Sequence, residues 1–265
     1  MAFSVPTIND DALWNAVTFF QETALPPIVD AGAHVQWAVF GPLFYLTEAT
    51  IPGATEEDMR KIFTPFTEYL DNQGIQYQMN VTGYATFLEH AHRYLGPLPY
   101  GAIPAAQIQG GVMISRETVA SDTTSLVSAI RKISTTTPFI VASYAVNVSH
   151  PPSSPNAVLP AWRDALSYFV VFQSWNYTAP AGHMVEQERL LTEEVMPPLQ
   201  ALASGSYMNE ADVNNPNWRE EFYGANWEKL LQVKQRWDPD SLLYAQTAVG
   251  SDVWRAAADG RLCRA

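Results

Sequence analysis

The sequence predicts an α+β fold in which an antiparallel β-sheet is covered by α-helices on one face. Several segments alternate apolar and polar residues, as half-buried strands do, and several others carry helix-start signals ahead of an apolar stripe. The two kinds do not alternate regularly, as they would in a doubly wound parallel sheet. The chain has 265 residues, 47% of them hydrophobic, so we expect residues 1–265 to form one domain with a substantial core.

The helix candidates begin with acidic residues, which the positive end of a helix favours. In "NDDALWNAVTFFQET", Asp10 and Asp11 precede an apolar stripe, and "TEEDMRKIFTPFTEYL" begins at Thr55 with two glutamates. Pro65 lies inside the second segment, which predicts a kink or break there. Three further helices are predicted at 118–134, 186–201 and 217–235.

Period-two alternation predicts the strands. The segments are "HVQWAVF" from His34, "IQYQMNV" from Ile75, "FIVASYAVNV" from Phe139 and "SYFVVFQSW" from Ser167. The paired glycines of "IQGGVMIS", Gly110 and Gly111, lack the spacing of a phosphate loop. They instead predict a strand that another part of the chain approaches closely.

Composition excludes several kinds of function. The formal net charge is −12, whereas nucleic-acid binding requires clustered Lys and Arg, so no nucleic acid is expected as a partner. Cys263 is the single cysteine, which excludes an intrachain disulfide and a cysteine-based zinc site. His90 and His92 are two residues apart and would point to different faces of a helix, so we predict no metal site.

Signals for cellular location point in two directions. The N-terminal "MAFSVPTINDDALW" has neither a basic region nor an apolar core, and no apolar run is long enough for a membrane span. We therefore expect a cytoplasmic protein with no membrane partner. Sequons at Asn80, Asn147 and Asn176 are relevant only in a secretory compartment, so a secretory ancestry stays open.

Three C-terminal motifs carry a resemblance to a known family. "YMNEAD", "FYGANWEKLLQVKQRWDPDSLL" and "GSDVWRAAADGRLC" resemble the C-terminal region of the fungal berberine bridge enzyme-like FAD-linked oxidoreductases. The upstream "PFTEYLDNQGIQY", "GGVMISRETV" and "NAVLPAWRDALSYFVVFQSW" follow in that family's order. The resemblance therefore covers nearly the whole chain, and the motifs are specific as a set although each is weak alone.

The resemblance implies that two domains share the work of binding FAD and substrate. In such enzymes an N-terminal domain holds FAD, often through a histidine and a cysteine, and a second domain supplies the substrate pocket. Residues 1–265 would be the substrate-binding domain, and 205–265 would face the flavin domain. The sequence shows no covalent-flavin segment and no dinucleotide-binding region before Phe3. We therefore expect the chain alone to bind no FAD, which would reach the site through a partner chain or not at all.

The resemblance also implies site residues. Tyr207 and Glu210 of "YMNEAD" would be catalytic, with Glu210 as the base, and Asn209 would contact the substrate. We expect this hexapeptide to be strand-like, so that both catalytic residues serve only if the strand ends or bulges. The family has a carboxylate or amide near Val170, which would leave one acid/base group missing; Val170 and Phe172 would line the substrate pocket.

Alternatives exist for each motif. Asn209 and Asp212 would otherwise cap the turn leading to Pro216. In "FYGANW", Tyr223 and Asn226 would contact FAD if a partner supplies it; helix-start packing is the alternative. Without a covering partner, we expect an exposed apolar patch of aromatic side chains from this region, namely Tyr207, Phe222, Tyr223 and Trp227.

Three functional hypotheses follow, each with a small-molecule substrate or ligand. The chain is the substrate-binding half of a split FAD-linked oxidoreductase of fungal secondary metabolism, with a flavin-domain partner or self-association burying the exposed face. Alternatively, it is a stand-alone, flavin-free cyclase, isomerase or dehydratase that uses Glu210 and Tyr207. The third hypothesis is a non-catalytic binding module.

Overall fold

The computed structural model describes residues 1–8, 10–94, 96, 106–150, 153–154, 156–257 and 259–265. Within these ranges, seven strands form one sheet in the order β4-β1-β3-β2-β6-β7-β5, and all neighbouring strands are antiparallel. The strands are β1 (Ala2–Ser4), β2 (His34–Phe40), β3 (Leu43–Thr50), β4 (Tyr77–Gln78), β5 (Gln107–Ser115), β6 (Ile140–Ala145) and β7 (Ala165–Ser174). The antiparallel α+β prediction is confirmed.

The predicted strands differ in how well they form. "HVQWAVF" is β2 over its full length, and most of "FIVASYAVNV" and "SYFVVFQSW" lies in β6 and β7. "IQYQMNV" was predicted as a strand throughout, but only Tyr77 and Gln78 pair, with Phe3 and Ala2. Its neighbour β1 has three residues, so β4 finds few backbone partners.

Helices account for much of the remaining described chain. They are α1 (Asp11–Phe19), α2 (Leu25–Asp30), α3 (Glu56–Asn72), α4 (Phe87–Tyr94), α5 (Arg116–Thr136), α6 (Ala181–Leu190), α7 (Pro197–Gln200), α8 (Trp218–Tyr223) and α9 (Trp227–Trp237). A π-helical turn, Phe20–Ala24, joins α1 to α2, and another, Leu191–Val195, follows α6. The predicted helix at 217–235 is interrupted at Gly224, whose φ of 47° ends α8. A small ribbon of β8 (Trp254–Ala256) and β9 (Leu262–Arg264) lies near the C-terminus.

An aromatic cluster joins the helices to one face of the sheet. Phe20 lies 5.8 Å from Trp37 of β2, 5.2 Å from Phe44 of β3 and 5.1 Å from Phe66 of α3, between ring centroids. Trp37 also meets Phe169 of β7 edge-on at 5.7 Å. These side chains are almost fully buried, and each contributes about 1.5–3 kcal/mol through burial.

Helix α3 continues through Pro65, so the break that was one of the two predicted outcomes does not occur, and the kink stays a prediction. A capping box fixes its start, because Thr55 and Asp58 exchange side-chain and backbone hydrogen bonds. Pro65 itself is exposed, while Phe63 and Phe66 on either side of it are buried. Burial of this apolar face opposes the cost of about 3 kcal/mol that an interior proline carries.

The opposite face of the sheet is formed by the alternate residues of the same strands. In β6 and β7, Val141 and Val171 face the core and are fully buried, so Tyr144 and Tyr168 face the other way. The chain near Gly205 crosses this region, where Met113 N–H donates to the Gly205 carbonyl at 2.8 Å. We call this second surface the open face. Among the described residues, no helix has the length and apolar character that crossing a membrane requires.

Candidate functional site

A cavity of about 500 Å³ lies on the open face. Its floor is apolar and comes from three neighbouring strands: Ala38 of β2, Ala142 of β6, and Val170 and Phe172 of β7. Glutamine amides, the Tyr144 phenol and the Glu210 carboxylate add polar groups to the lining. Among the described residues that line this cavity there is no Lys or Arg, and the ionisable side chains are those of His34, Tyr144 and Glu210.

The segment that carries Glu210 is a turn rather than the predicted strand-like hexapeptide. Tyr207 is extended, Met208–Glu210 form one 3₁₀ turn, and Glu210 N–H donates to the Tyr207 carbonyl at 2.9 Å. The turn aims Glu210 into the cavity. The Tyr207 ring instead packs against Trp162 and Tyr168, with ring centroids 6.0 and 6.2 Å away. The two predicted catalytic side chains therefore diverge.

Inside the cavity, the Glu210 carboxylate is hydrogen-bonded to Tyr144. Its hydroxyl donates to Glu210 Oε2 at 3.0 Å. Burial raises the pKa of the Tyr144 phenol well above its usual value, and the neighbouring Glu210 carboxylate raises this pKa further. The phenol consequently stays protonated and acts as a hydrogen-bond donor.

Tyr168 of β7 anchors the backbone just before the Met208–Glu210 turn. Its hydroxyl donates to the Tyr207 carbonyl and accepts from the Tyr207 N–H, both at 3.2 Å. Burial raises the pKa of this phenol above its usual value, so its proton stays available for the first bond. One side chain thereby satisfies both backbone groups of Tyr207.

Glycine at position 111 makes this arrangement possible. A Cβ atom on Gly111 would lie 2.2 Å from the Tyr168 hydroxyl and 2.6 Å from the Glu210 carbonyl. On Gly110, a Cβ atom would lie 2.6 Å from the Met196 sulfur. The expected close approach to this strand is confirmed at both glycines.

The predicted substrate-binding residues divide into two groups. Val170 and Phe172 line the cavity beside Glu210. The Asn209 side-chain amide instead donates to the Tyr207 hydroxyl at 2.7 Å. The backbone carbonyl of Asn209 accepts from Gln109 Nε2 at 3.2 Å. Asn209 thus contributes to the shape of the turn.

Asp212 caps the turn that follows it, as the alternative interpretation of this segment expected, whereas the Asn209 side chain bonds Tyr207 instead. Asp212 Oδ1 accepts from the Asn214 N–H at 2.9 Å, and the Thr192 hydroxyl donates to Oδ2 at 2.6 Å. Nearby, Asn215 Nδ2 donates to Glu221 Oε2 at 2.7 Å. Burial raises the pKa of both carboxyl groups despite these hydrogen bonds. This buried acidic cluster anchors the turn segment to the chain that follows it.

The predicted cofactor contacts lie away from the cavity lining. Tyr223 donates to the Thr247 carbonyl at 3.0 Å, and burial raises its pKa to about 12. Asn226 Nδ2 donates to the Val158 carbonyl at 3.1 Å. Their roles toward FAD stay predictions.

The exposed apolar side chains differ from the expected patch. Phe222 is only 5% exposed, so it does not contribute to the expected patch. Tyr223 and Trp227 are half-buried, and Tyr207 is 36% exposed. The most exposed large apolar side chains of this region are instead Trp237, Leu242 and Leu243, each more than three-quarters exposed.

Tyr144 and Tyr168 were not predicted as site residues, although a signal for them exists. Alternation in "IVASYA" and "LSYFVV" places both tyrosines opposite the apolar positions Val141 and Val171. A phenol on the face of a strand opposite its core positions is a candidate for hydrogen bonding to a group that approaches that face. The described part of the chain contains no cluster of three or more His, Cys, Asp or Glu that could hold a metal ion.

Comparison with known proteins gives a consistent result. The family model "Berberine and berberine like" matches residues 206–250. FAD-linked oxidoreductase ZEB1 of Gibberella zeae is 33% identical over the whole chain, which covers 46% of that protein. The bifunctional decalin synthase calF of Penicillium decumbens is 32% identical, with 47% of it covered. The chain therefore spans about half the length of the curated relatives it matches.

A solved structure shows the same relationship. The VAO-type flavoprotein MtVAO615 from Myceliophthora thermophila C1 superposes on the whole chain with a TM-score of 0.88 and 31% identity. The match covers 49% of that flavoprotein. By these comparisons, the chain is similar over its whole length to about half the length of fungal FAD-linked oxidoreductases and of a VAO-type flavoprotein, and its residues 206–250 match the berberine and berberine-like family model.

Proposed function

We propose that this chain is the substrate-binding half of a berberine bridge enzyme-like FAD-linked oxidoreductase of fungal secondary metabolism, with FAD held by a partner polypeptide. The observation that carries the proposal is the Glu210–Tyr144 pair, joined at 3.0 Å at an apolar cavity on the open face. A carboxylate next to an apolar surface is what proton removal from a bound alcohol requires.

The cavity fits a substrate better than it fits FAD. Binding a pyrophosphate requires cationic side chains or a cradle of backbone N–H groups. The described lining residues include no Lys or Arg and place one carboxylate in the cavity. A neutral, largely apolar molecule with a hydroxyl group satisfies this lining, because the floor buries its skeleton and Glu210 accepts from its hydroxyl.

The chemistry divides between this chain and its partner. FAD, when the partner binds it, supplies the acceptor for the hydride that leaves the substrate carbon. Glu210 accepts the hydroxyl proton as that C–H bond breaks, so the alcohol becomes a carbonyl compound. Tyr144 donates to one carboxylate oxygen and orients the other toward the substrate.

The C-terminal segment 205–265 is proposed to face the flavin-binding partner. Trp237, Leu242 and Leu243 are exposed there. Adjacent exposed apolar side chains usually mark a partner surface.

Replacement of the base tests the proposal. In the flavin-containing complex, Glu210→Gln should lower alcohol oxidation by roughly 10²-fold or more, because a general base contributes about that much. Glu220→Gln is the matched control, since Glu220 is exposed on α8. Equal activity in the two variants contradicts a catalytic role for Glu210.

A flavin-free cyclase, isomerase or dehydratase is the second candidate. The apolar Val170 in the cavity floor favours it, because a polar group would be expected there in a redox enzyme of the resembled family. Redox-neutral conversion of a substrate by the purified chain alone would support this candidate over the first.

A further inference from the structure

The cavity that contains Glu210 extends across the sheet. Four neighbouring strands, β2, β6, β7 and β5, contribute to its lining with Ala38, Ala142, Val170 and Gln109. The register aligns the first three of these residues, because Ala38 pairs with Ala142 and Ala142 pairs with Val170. At the usual strand spacing, the distance from the first to the third is about 9–10 Å. We call Ala38, Ala142 and Val170 the floor row.

The floor row points away from the hydrophobic core. The neighbouring Val39, Val141 and Val171 are at most 1% exposed, whereas the residues of the floor row are half-buried. Successive side chains of a strand point to opposite faces, so the floor row faces the cavity. A larger side chain at Ala38 or Ala142 would therefore extend into the cavity and leave the core packing intact.

Larger side chains border the floor row along the strand direction. On β6, Tyr144 and Ile140 lie two residues from Ala142 on either side. Ile140 pairs with Phe172 of β7, and Phe172 and Tyr144 both line the cavity. A substrate skeleton therefore has room across the strands, over the floor row, and meets larger side chains along them.

The Met208–Glu210 turn closes one end of the floor row. On β5, the partner of Val170 is Gly111, and a Cβ atom on this glycine would lie 2.6 Å from the Glu210 carbonyl. The turn thus lies directly over β5. A substrate whose hydroxyl contacts Glu210 therefore extends in the other direction, over β6 and then β2, toward Ala38.

We propose that Ala38 and Ala142 are specificity-determining residues, which set how long a substrate the cavity accepts. The substrate lies across the strands, with its hydroxyl at Glu210 and its skeleton over Ala142 and then Ala38. This proposal rests on the proposed function for the hydroxyl contact at Glu210. Ala142 limits every substrate that extends beyond β7, whereas Ala38 limits only those that reach β2.

Two alcohols of different length test the proposal, benzyl alcohol and the longer 4-biphenylmethanol. Binding of each alcohol to the full chain is measured by ligand-observed NMR titration. Ala142→Leu should weaken the binding of both alcohols at least tenfold, and Ala38→Leu should weaken only that of the longer one. The reason is that even one added methylene in an apolar pocket changes discrimination by about tenfold or more. Ala120→Leu, at an exposed position of α5, is the matched control and should change neither.

The two leucine variants also give the results that would overturn the proposal. These are equal weakening of both alcohols by Ala38→Leu, unchanged binding of the longer alcohol in that variant, or unchanged binding of either alcohol in Ala142→Leu. The absence of measurable binding of both alcohols to the unaltered chain overturns it as well. None of these measurements requires flavin, whereas Glu210→Gln in the flavin-containing complex tests the proposed function, so either can fail alone.

Discussion

Tyr144 on β6 donates a hydrogen bond to Glu210 at 3.0 Å, although the two residues are 66 positions apart. The strand fixes the phenol because its neighbours Val141 and Ala145 are buried in the core. The 3₁₀ turn fixes the carboxylate because Tyr168 holds the backbone at Tyr207. The candidate base is thereby held by two independent parts of the fold.

Removal of the Tyr144 hydroxyl should weaken catalysis without unfolding the chain. A hydrogen bond to a charged group contributes about 1.5–3 kcal/mol. Tyr144→Phe should therefore lower the turnover of the flavin complex by about tenfold to a hundredfold. Tyr45→Phe is the control, since Tyr45 is an exposed phenol on β3. Unchanged turnover in Tyr144→Phe would show that Glu210 does not depend on this donor.

Gly111→Ala should damage both stability and the site. The added methyl group meets the Tyr168 hydroxyl and the Glu210 carbonyl, so the free energy of unfolding should fall by about 1–3 kcal/mol. Gly182→Ala in α6 is the matched control, because no atom lies within 4 Å of its Cβ position. Urea unfolding measures both variants. A Gly111→Ala chain as stable as the control contradicts the close approach of the turn to β5.

The buried acidic cluster should make stability depend on pH. Burial raises the pKa of the Asp212 and Glu221 carboxyl groups above their ordinary values. The folded state therefore binds protons more readily than the unfolded state. The stabilisation is fully present below the unfolded pKa values and is lost as pH rises through the folded ones.

Amide replacements check this pH dependence. Between about pH 4 and pH 8, the free energy of unfolding should fall less in Asp212→Asn/Glu221→Gln than in the unaltered chain. In Asp212→Asn the amide oxygen still accepts from the Asn214 N–H, and the amide nitrogen can donate to the Thr192 hydroxyl. In Glu221→Gln the amide oxygen still accepts from Asn215 Nδ2. Asp71→Asn/Glu228→Gln, at exposed positions, serves as the control. Parallel pH profiles for the two double variants would rule out the predicted contribution.

Much of the sheet is predictable because β2 and β6 bury alternate residues against the helices, which leaves a period-two pattern, and β7 is a long apolar run. The pattern fails at "IQYQMNV", where the three-residue neighbour β1 limits pairing. A second expectation, the break of α3 at Pro65, fails for a different reason, because burial of the flanking Phe63 and Phe66 opposes the local cost of proline.

Less of the candidate site than of the sheet can be predicted from the sequence. Val170, Phe172 and Glu210 do line one cavity, and the tyrosine at position 144 follows from strand alternation. The bond from Tyr168 to Tyr207 joins residues 39 positions apart, and no local pattern encodes such a contact. The turn at Met208–Glu210 depends on that contact, which explains why the segment was predicted as strand-like.

The central claim is that this chain contributes the substrate side of a flavin reaction and that a partner contributes FAD. The visible absorption spectrum tests it most directly, recorded on the chain purified alone and on the complex recovered from the native host. The account predicts no flavin absorbance for the isolated chain and one FAD per copy of the chain in the complex. Stoichiometric flavin in the isolated chain, or a native assembly that contains no flavin, would contradict it.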